Sequence, residues 1–293
     1  ADLGGARLDV VMSVRDLVRQ IPAEWQENVK HRRQLTFTEF LERIQDPSRA
    51  SVLGWWFWGV QHVPEVLERW GQGLPRERVH VVTVPPAGSS SDLLWQRFVQ
   101  VFGLDDSAFE LASERANPSL GVPETALVRR LNVLLKPTLP NHHYRALVRE
   151  VLVHQNLSAR RESARLALPP AAYDWASTMA QEWCAELASR GYDVVGDLSE
   201  LEPAPAAVFV DPDSPDEAQV ADAAVEAIAA MVAEAAAIRD ELNGRITELE
   251  SAIARIEAAP DYRFKKKLVE LAHTNPFTKK GLGVYRKAFK REV

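Results

Sequence analysis

The sequence predicts an α/β domain on a mainly parallel sheet, followed by a long helix and a basic terminus. Three observations carry that expectation. An apolar β-like run, Leu8–Val14, passes straight into a helical pattern. A second run, Val79–Val84, has apolar residues on both faces, as a strand inside a parallel sheet does. A heptad-like apolar stripe from Val225 to Ile256 lies behind a proline-rich spacer.

The chain has 293 residues, 46% of them hydrophobic, with eight tryptophans, enough for a substantial core and more than one average domain. The expected division is an α/β domain over 1–201, a spacer over 202–214, a long helix over 215–258 and a basic tail over 259–293.

The first element carries the chemistry. Arg15 leaves the Leu8–Val14 strand at the start of a helix, where a planar fork of donors and free backbone N–H groups can together receive phosphate or sulfate. The plainer alternative is an arginine that caps or pairs at the surface. Thr36-Phe37-Thr38-Glu39 is a capping box and predicts a helix over Phe37–Ile44, broken by Asp46-Pro47. Trp55-Trp56-Phe57-Trp58 then packs four aromatics into consecutive places, either to stack on an acceptor or to fill a core; at least one of Trp55, Trp56 and Trp58 should look outward.

A helix over Val63–Trp70 leads to the Val79–Val84 strand, and a further helix follows from Asp92 to its closing Gly103. Pro85–Asp92 offers a glycine and hydroxyls to a phosphate, but Asp92 would occupy the same donors, so it is read as a helix cap. Helical patterns continue over Glu124–Leu135 and Trp175–Arg190.

Pro203, Pro205, Pro212 and Pro215 mark the spacer. Ser214-Pro215-Asp216-Glu217 reads as a capping box opening a helix to about residue 258. Its apolar residues step by three and four, with one repeat out of phase on each side of Ile238 and Leu242. So long a helix should pair with another, giving a homo-oligomer through 215–258, although the alanine-rich half before Ala237 also suits packing on the body.

Val14-Arg15-Asp16, an aliphatic run and Ala23-Glu24-Trp25 together resemble the 3′-phosphate-binding segment of the sulfotransferases that use 3′-phosphoadenosine 5′-phosphosulfate, PAPS. The helix ending at Trp70, the Val79–Val84 strand and the helix ending at Gly103 are similar to that family's next elements, so the resemblance covers about residues 8–200. It implies a P-loop-type sulfotransferase fold, present in part, with PAPS or adenosine 3′,5′-bisphosphate as ligand and a hydroxyl of a glycan, lipid or small metabolite as acceptor. Arg15 matches the family's arginine and Trp25 its aromatic, while Ala23 stands where the family places a serine. The family's lysine-bearing phosphosulfate loop has no counterpart here, so the expectation is a fragment that starts after that loop, or a degenerate member. A non-catalytic assembly protein using the long helix and basic tail is the alternative.

His62 is the candidate general base, and His31 with Lys30, Arg32 and Arg33 a basic edge for an anionic acceptor. His142-His143 has no partners at ligand spacing, and no metal site is expected. The lone Cys184 predicts a buried structural thiol, and no run is long and apolar enough to cross a bilayer, so a cytoplasmic chain is expected. The net charge of −6 conceals a tail, 261–293, with ten basic and three acidic residues, or +7, leaving −13 elsewhere. Such a tail either contacts a polyanion or an anionic membrane surface or serves as a solvated terminus.

Overall fold

Valine-rich segments form the strands, because stiff β-branched side chains favour extended backbone. Val10–Val14 is β1, Val79–Thr83 is β2 and the short Asp193–Val195 is β3. They make an all-parallel sheet of order β1-β2-β3, with Val10 opposite Val79 and Val82 opposite Val195. Central β2 buries Val79, Val81, Val82 and Thr83, the burial on both faces that its sequence predicts.

This computed structural model describes residues 4, 5, 7–109 and 119–274, and the chain falls into two units, Ala1–Ala230 and Met231–Val293. Parallel neighbours need long crossovers. Between β1 and β2 run α1 (Leu17–Lys30), α2 (Phe37–Gln45), α3 (Val52–Gln61) and α4 (Val63–Trp70). Between β2 and β3 come α5 (Leu93–Phe102), α6 (Val122–Leu135), the turn α7 (Asn141–His143), which continues into the π-wound segment Tyr144–Asn156, and α8 (Pro170–Arg190).

Interior amides fix α6 against α1. The Gln26 side chain donates to the Leu120 carbonyl and accepts from its N–H, while Asn132 donates to the carbonyls of Val29 and Arg33. Tyr144 donates to the Asn132 side chain, and burial pushes its phenol up to about 12. Each of these buried polar groups thereby has a partner, which is what makes its burial tolerable.

The helix ends follow the sequence unevenly. Thr36 and Glu39 form the reciprocal capping box, and Gly103 closes α5 in the left-handed conformation at φ 59°. Asp92 corrects the expectation: it precedes α5, but its backbone is already helical and its carboxylate accepts from the Ser91 hydroxyl instead of a helix N–H. The spacer is anchored by Asp213, whose carboxylate accepts from the N–H groups of Phe37 and Thr38 at 2.9 Å each, an anion held at a helix N-terminus.

α9 (Glu217–Ala258) and α10 (Pro260–Thr274) follow. The cap of α9 is Asp216, which accepts from the N–H of Ala218 at 2.9 Å; Ser214 lies outside the helix. Within the first unit, Val220, Ala223 and Ala227 are buried, and Arg130 binds Glu217 through two hydrogen bonds of 2.8 and 2.6 Å. The alanine-rich start therefore does pack on the body. The apolar stripe lies on another side of the helix and is exposed at Val225, Ile228, Val232, Leu242, Ile246, Leu249, Ile253 and Ile256. The basic tail is described only as far as the end of α10, and residues 275–293 lie outside the described residues.

Candidate functional site

Three parallel strands deliver their C-terminal ends to one edge, where open α/β sheets bind ligands. A cavity of about 590 Å³ opens there, lined among others by Asp16 and Arg19 after β1, Pro86 and Ala87 after β2, Tyr173 of α8, and Glu200 and the spacer prolines after β3. Its size suits a small-molecule site.

The charges at the cavity are tied together. Asp16 caps α1 by accepting from the Arg19 N–H at 2.9 Å and also pairs with the Arg19 guanidinium. Arg19 in turn donates to the Pro85 carbonyl at 3.0 Å, joining the loops that follow β1 and β2. Asp16 thus holds donors that an incoming anion would need, so the start of α1 offers less than the sequence suggests.

A second knot closes the end of β2. Arg97 makes a bidentate contact with Glu200, at 2.6 and 2.7 Å, and donates to the Thr83 hydroxyl at 2.9 Å. The Arg97 guanidinium, with a smaller contribution from the Thr83 hydroxyl, holds the Glu200 carboxyl below its usual range although partial burial opposes it. Only glycine fits at 196: φ is +111°, and a Cβ there would lie 2.0 Å from the Thr83 hydroxyl and 2.8 Å from the Arg97 guanidinium. Sequence reading missed this knot. Its signal was Arg97 on the apolar face of α5, in line with Leu94, Phe98 and Val101.

Arg15 stands directly after β1. It is half-buried, and among the described residues its guanidinium has no hydrogen-bond or ion-pair partner. Burial, then the nearby charge of Arg19, lowers its pKa, with Asp16 opposing. The group stays charged at neutral pH because it starts so high. It is not among the residues lining the 590 Å³ cavity.

The structure does not join the other expected site residues to Arg15. Trp25 is a correction: its ring is fully buried, 4.9 Å from that of Phe37, and its Nε1–H donates to the Leu35 carbonyl, so it is core and has no face for a nucleotide. Ala23 carries no donor. His62 sits at the junction of α3 and α4, its Nδ1 accepting from the Glu65 N–H at 3.4 Å and its ring 5.1 Å from that of Trp183. It does not line the cavity, and burial holds its pKa below the usual histidine value.

The basic edge at 30–33 is also corrected in part. Lys30 is buried against Glu27, and Arg32 donates to Asn141 and to the Leu139 carbonyl. Cys184 donates to the Leu198 carbonyl, and burial raises its thiol pKa, as a structural cysteine requires. Trp58 is buried, whereas Trp55 and Trp56 are 67% and 46% exposed, so the outward-facing tryptophan has two occupants. A second groove of about 460 Å³ lies along β1, lined by apolar residues such as Met12, Val60 and Trp70. Among the described residues no group of three or more metal-ligating side chains converges, and no helix is long and apolar enough to cross a membrane.

No protein-family model, curated protein or solved structure matches the chain.

Proposed function

We propose that the first unit is a sulfotransferase-type domain that acts in the cytoplasm and binds adenosine 3′,5′-bisphosphate or PAPS, with Arg15 receiving the 3′-phosphate. One observation carries the reading: a half-buried guanidinium that has no partner among the described residues, directly after a strand at the ligand-binding edge of a parallel sheet. A desolvated charge is costly until an anion compensates it, and the arginine fork matches phosphate geometry. The fit to the cofactor rests on that group, because Ala23 offers no donor, Trp25 is sealed in the core and Asp16 occupies the start of α1.

PAPS, when bound, supplies the sulfuryl group for a hydroxyl acceptor of a glycan, lipid or small metabolite. Arg15 binds and orients the nucleotide end. Arg19 ties the loop after β1 to the loop after β2, and the Arg97–Glu200 pair closes the end of β2. The test is calorimetric titration with adenosine 3′,5′-bisphosphate: weak binding is expected, lost in Arg15→Ala, and equal affinity in the two proteins overturns the assignment.

A second reading, assembly without catalysis through α9 and the basic tail, has its own support in the exposed apolar stripe of α9 and in exposed Arg263, Lys266 and Lys267 on α10. In that reading residues 261–293 contact a polyanion or an anionic membrane surface.

A further inference from the structure

We infer that the part of α9 in the second unit, residues 231–258, pairs with the same segment of a second copy as a parallel, in-register, two-stranded coiled coil. The inference deepens the assembly reading and does not depend on the role of Arg15.

The register comes first. If Arg239 rather than Ile238 is placed in the seam, every residue of the apolar stripe except Ile238 falls on the a and d positions of one unbroken heptad. Val232, Arg239, Ile246 and Ile253 are then the a positions, and Ala235, Leu242, Leu249 and Ile256 the d positions. The apparent phase slip disappears, and Ile238 becomes a flanking g residue. Four heptads are enough to specify a coiled coil. Exposure agrees with the assignment: Val232, Ala235, Arg239, Leu242, Ile246, Leu249, Ile253 and Ile256 are all exposed on this helix. So long a run of branched aliphatic side chains on one helix face is costly in water.

The occupant follows from side-chain shape and charge. β-Branched residues at a, with leucine at the two central d positions, favour two parallel strands. In that arrangement a g residue faces the e residue five places on in the partner helix. Arg245 at g therefore meets Glu250 at e, and symmetry makes the contact twice. In the single chain both are exposed; Arg245 reaches only Glu248 on its own helix, at 2.9 Å. An antiparallel pair would instead bring e against e, where Glu250 faces Asn243 and Glu257 faces Ala236, so Arg245 and Glu250 would lose each other as partners across the seam. Arg239 is a charged residue at one a position, a device that fixes register at some loss of stability, its stem in the seam and its head in water.

The test uses the full chain. Sedimentation equilibrium should show a reversible dimer. Arg245→Glu should weaken it by roughly tenfold, with Glu250→Arg restoring it in the double variant. Orientation is read in a Cys184→Ser background with single cysteines at d positions, Ala235→Cys and Ile256→Cys. Both should form disulfide-linked dimers under oxidised glutathione, since in-register d side chains face each other across the seam. No antiparallel pair can bring both positions onto themselves. Circular dichroism of each variant checks that the helices remain. A monomer at all concentrations overturns the inference together with self-assembly. A dimer that cross-links at neither or only one position, or that ignores the charge reversal, overturns this geometry and leaves the assembly reading standing.

Discussion

Replacing Arg15 by methionine should make the free protein more stable and the ligand-bound protein impossible. The guanidinium is half-buried and unpaired among the described residues, so its charge costs solvation and returns no contact. Methionine keeps most of the apolar length of the stem, so the packing contribution survives. The net gain should be about 1 kcal/mol, within the range that single stabilising substitutions commonly give. For a unit of this size that raises the melting temperature by about 2–4 °C. Arg15→Lys, which keeps the charge but loses the planar fork, should give no such gain. Differential scanning calorimetry reads both. With adenosine 3′,5′-bisphosphate present, the wild type should gain stability by mass action, about 2.7 kcal/mol at a hundredfold excess over the dissociation constant, while Arg15→Met gains nothing. A fall in melting temperature for Arg15→Met without ligand would mean that the guanidinium holds the fold together, and the argument from an uncompensated charge would fail.

Gly196→Ala should be severely destabilising, because it combines left-handed backbone at φ +111° with a Cβ pressed into Thr83 and Arg97; strain of about 1–3 kcal/mol plus disruption of the partly buried Arg97–Glu200 pair should lower the denaturation midpoint sharply. Glu200→Gln tests the same knot by pH. The folded carboxyl titrates below its unfolded value, so its stabilisation is present above the unfolded pKa and is lost as pH falls through the folded one. The wild type should therefore lose melting temperature below pH 4.5 more steeply than Glu200→Gln; parallel profiles would contradict the pair. His62→Asn keeps a capping side chain and removes the titration. Because burial lowers the folded pKa of His62, its protonation as pH falls below 6.5 weakens the fold, and the variant should show a smaller loss between neutral pH and the acid side.

The elements that local chemistry dictates were legible in the sequence. The capping box at Thr36, the valine-rich β2 and the glycine closing α5 act through neighbours in the chain, and each stands where the pattern places it. Features that depend on distant partners were not legible. Trp25 is core because Phe37 and the Leu35 carbonyl enclose it, whereas the Asp92 cap fails for a local reason, the adjacent Ser91 hydroxyl donating to its carboxylate. β3 is three residues long and carries no periodicity, so the third strand gave no signal of its own. The knot of Thr83, Arg97 and Glu200 joins residues 117 positions apart, and only a glycine and a misplaced arginine hinted at it.

The most direct measurement is the arginine side-chain ¹H–¹⁵N spectrum of the chain, with the Arg15 Nε–H assigned by its loss in Arg15→Lys, titrated with adenosine 3′,5′-bisphosphate and separately with adenosine 5′-monophosphate. The account requires a saturable movement of that resonance with the bisphosphate and a much smaller one with the monophosphate. No movement with either, or equal movement with both, would contradict a 3′-phosphate on Arg15.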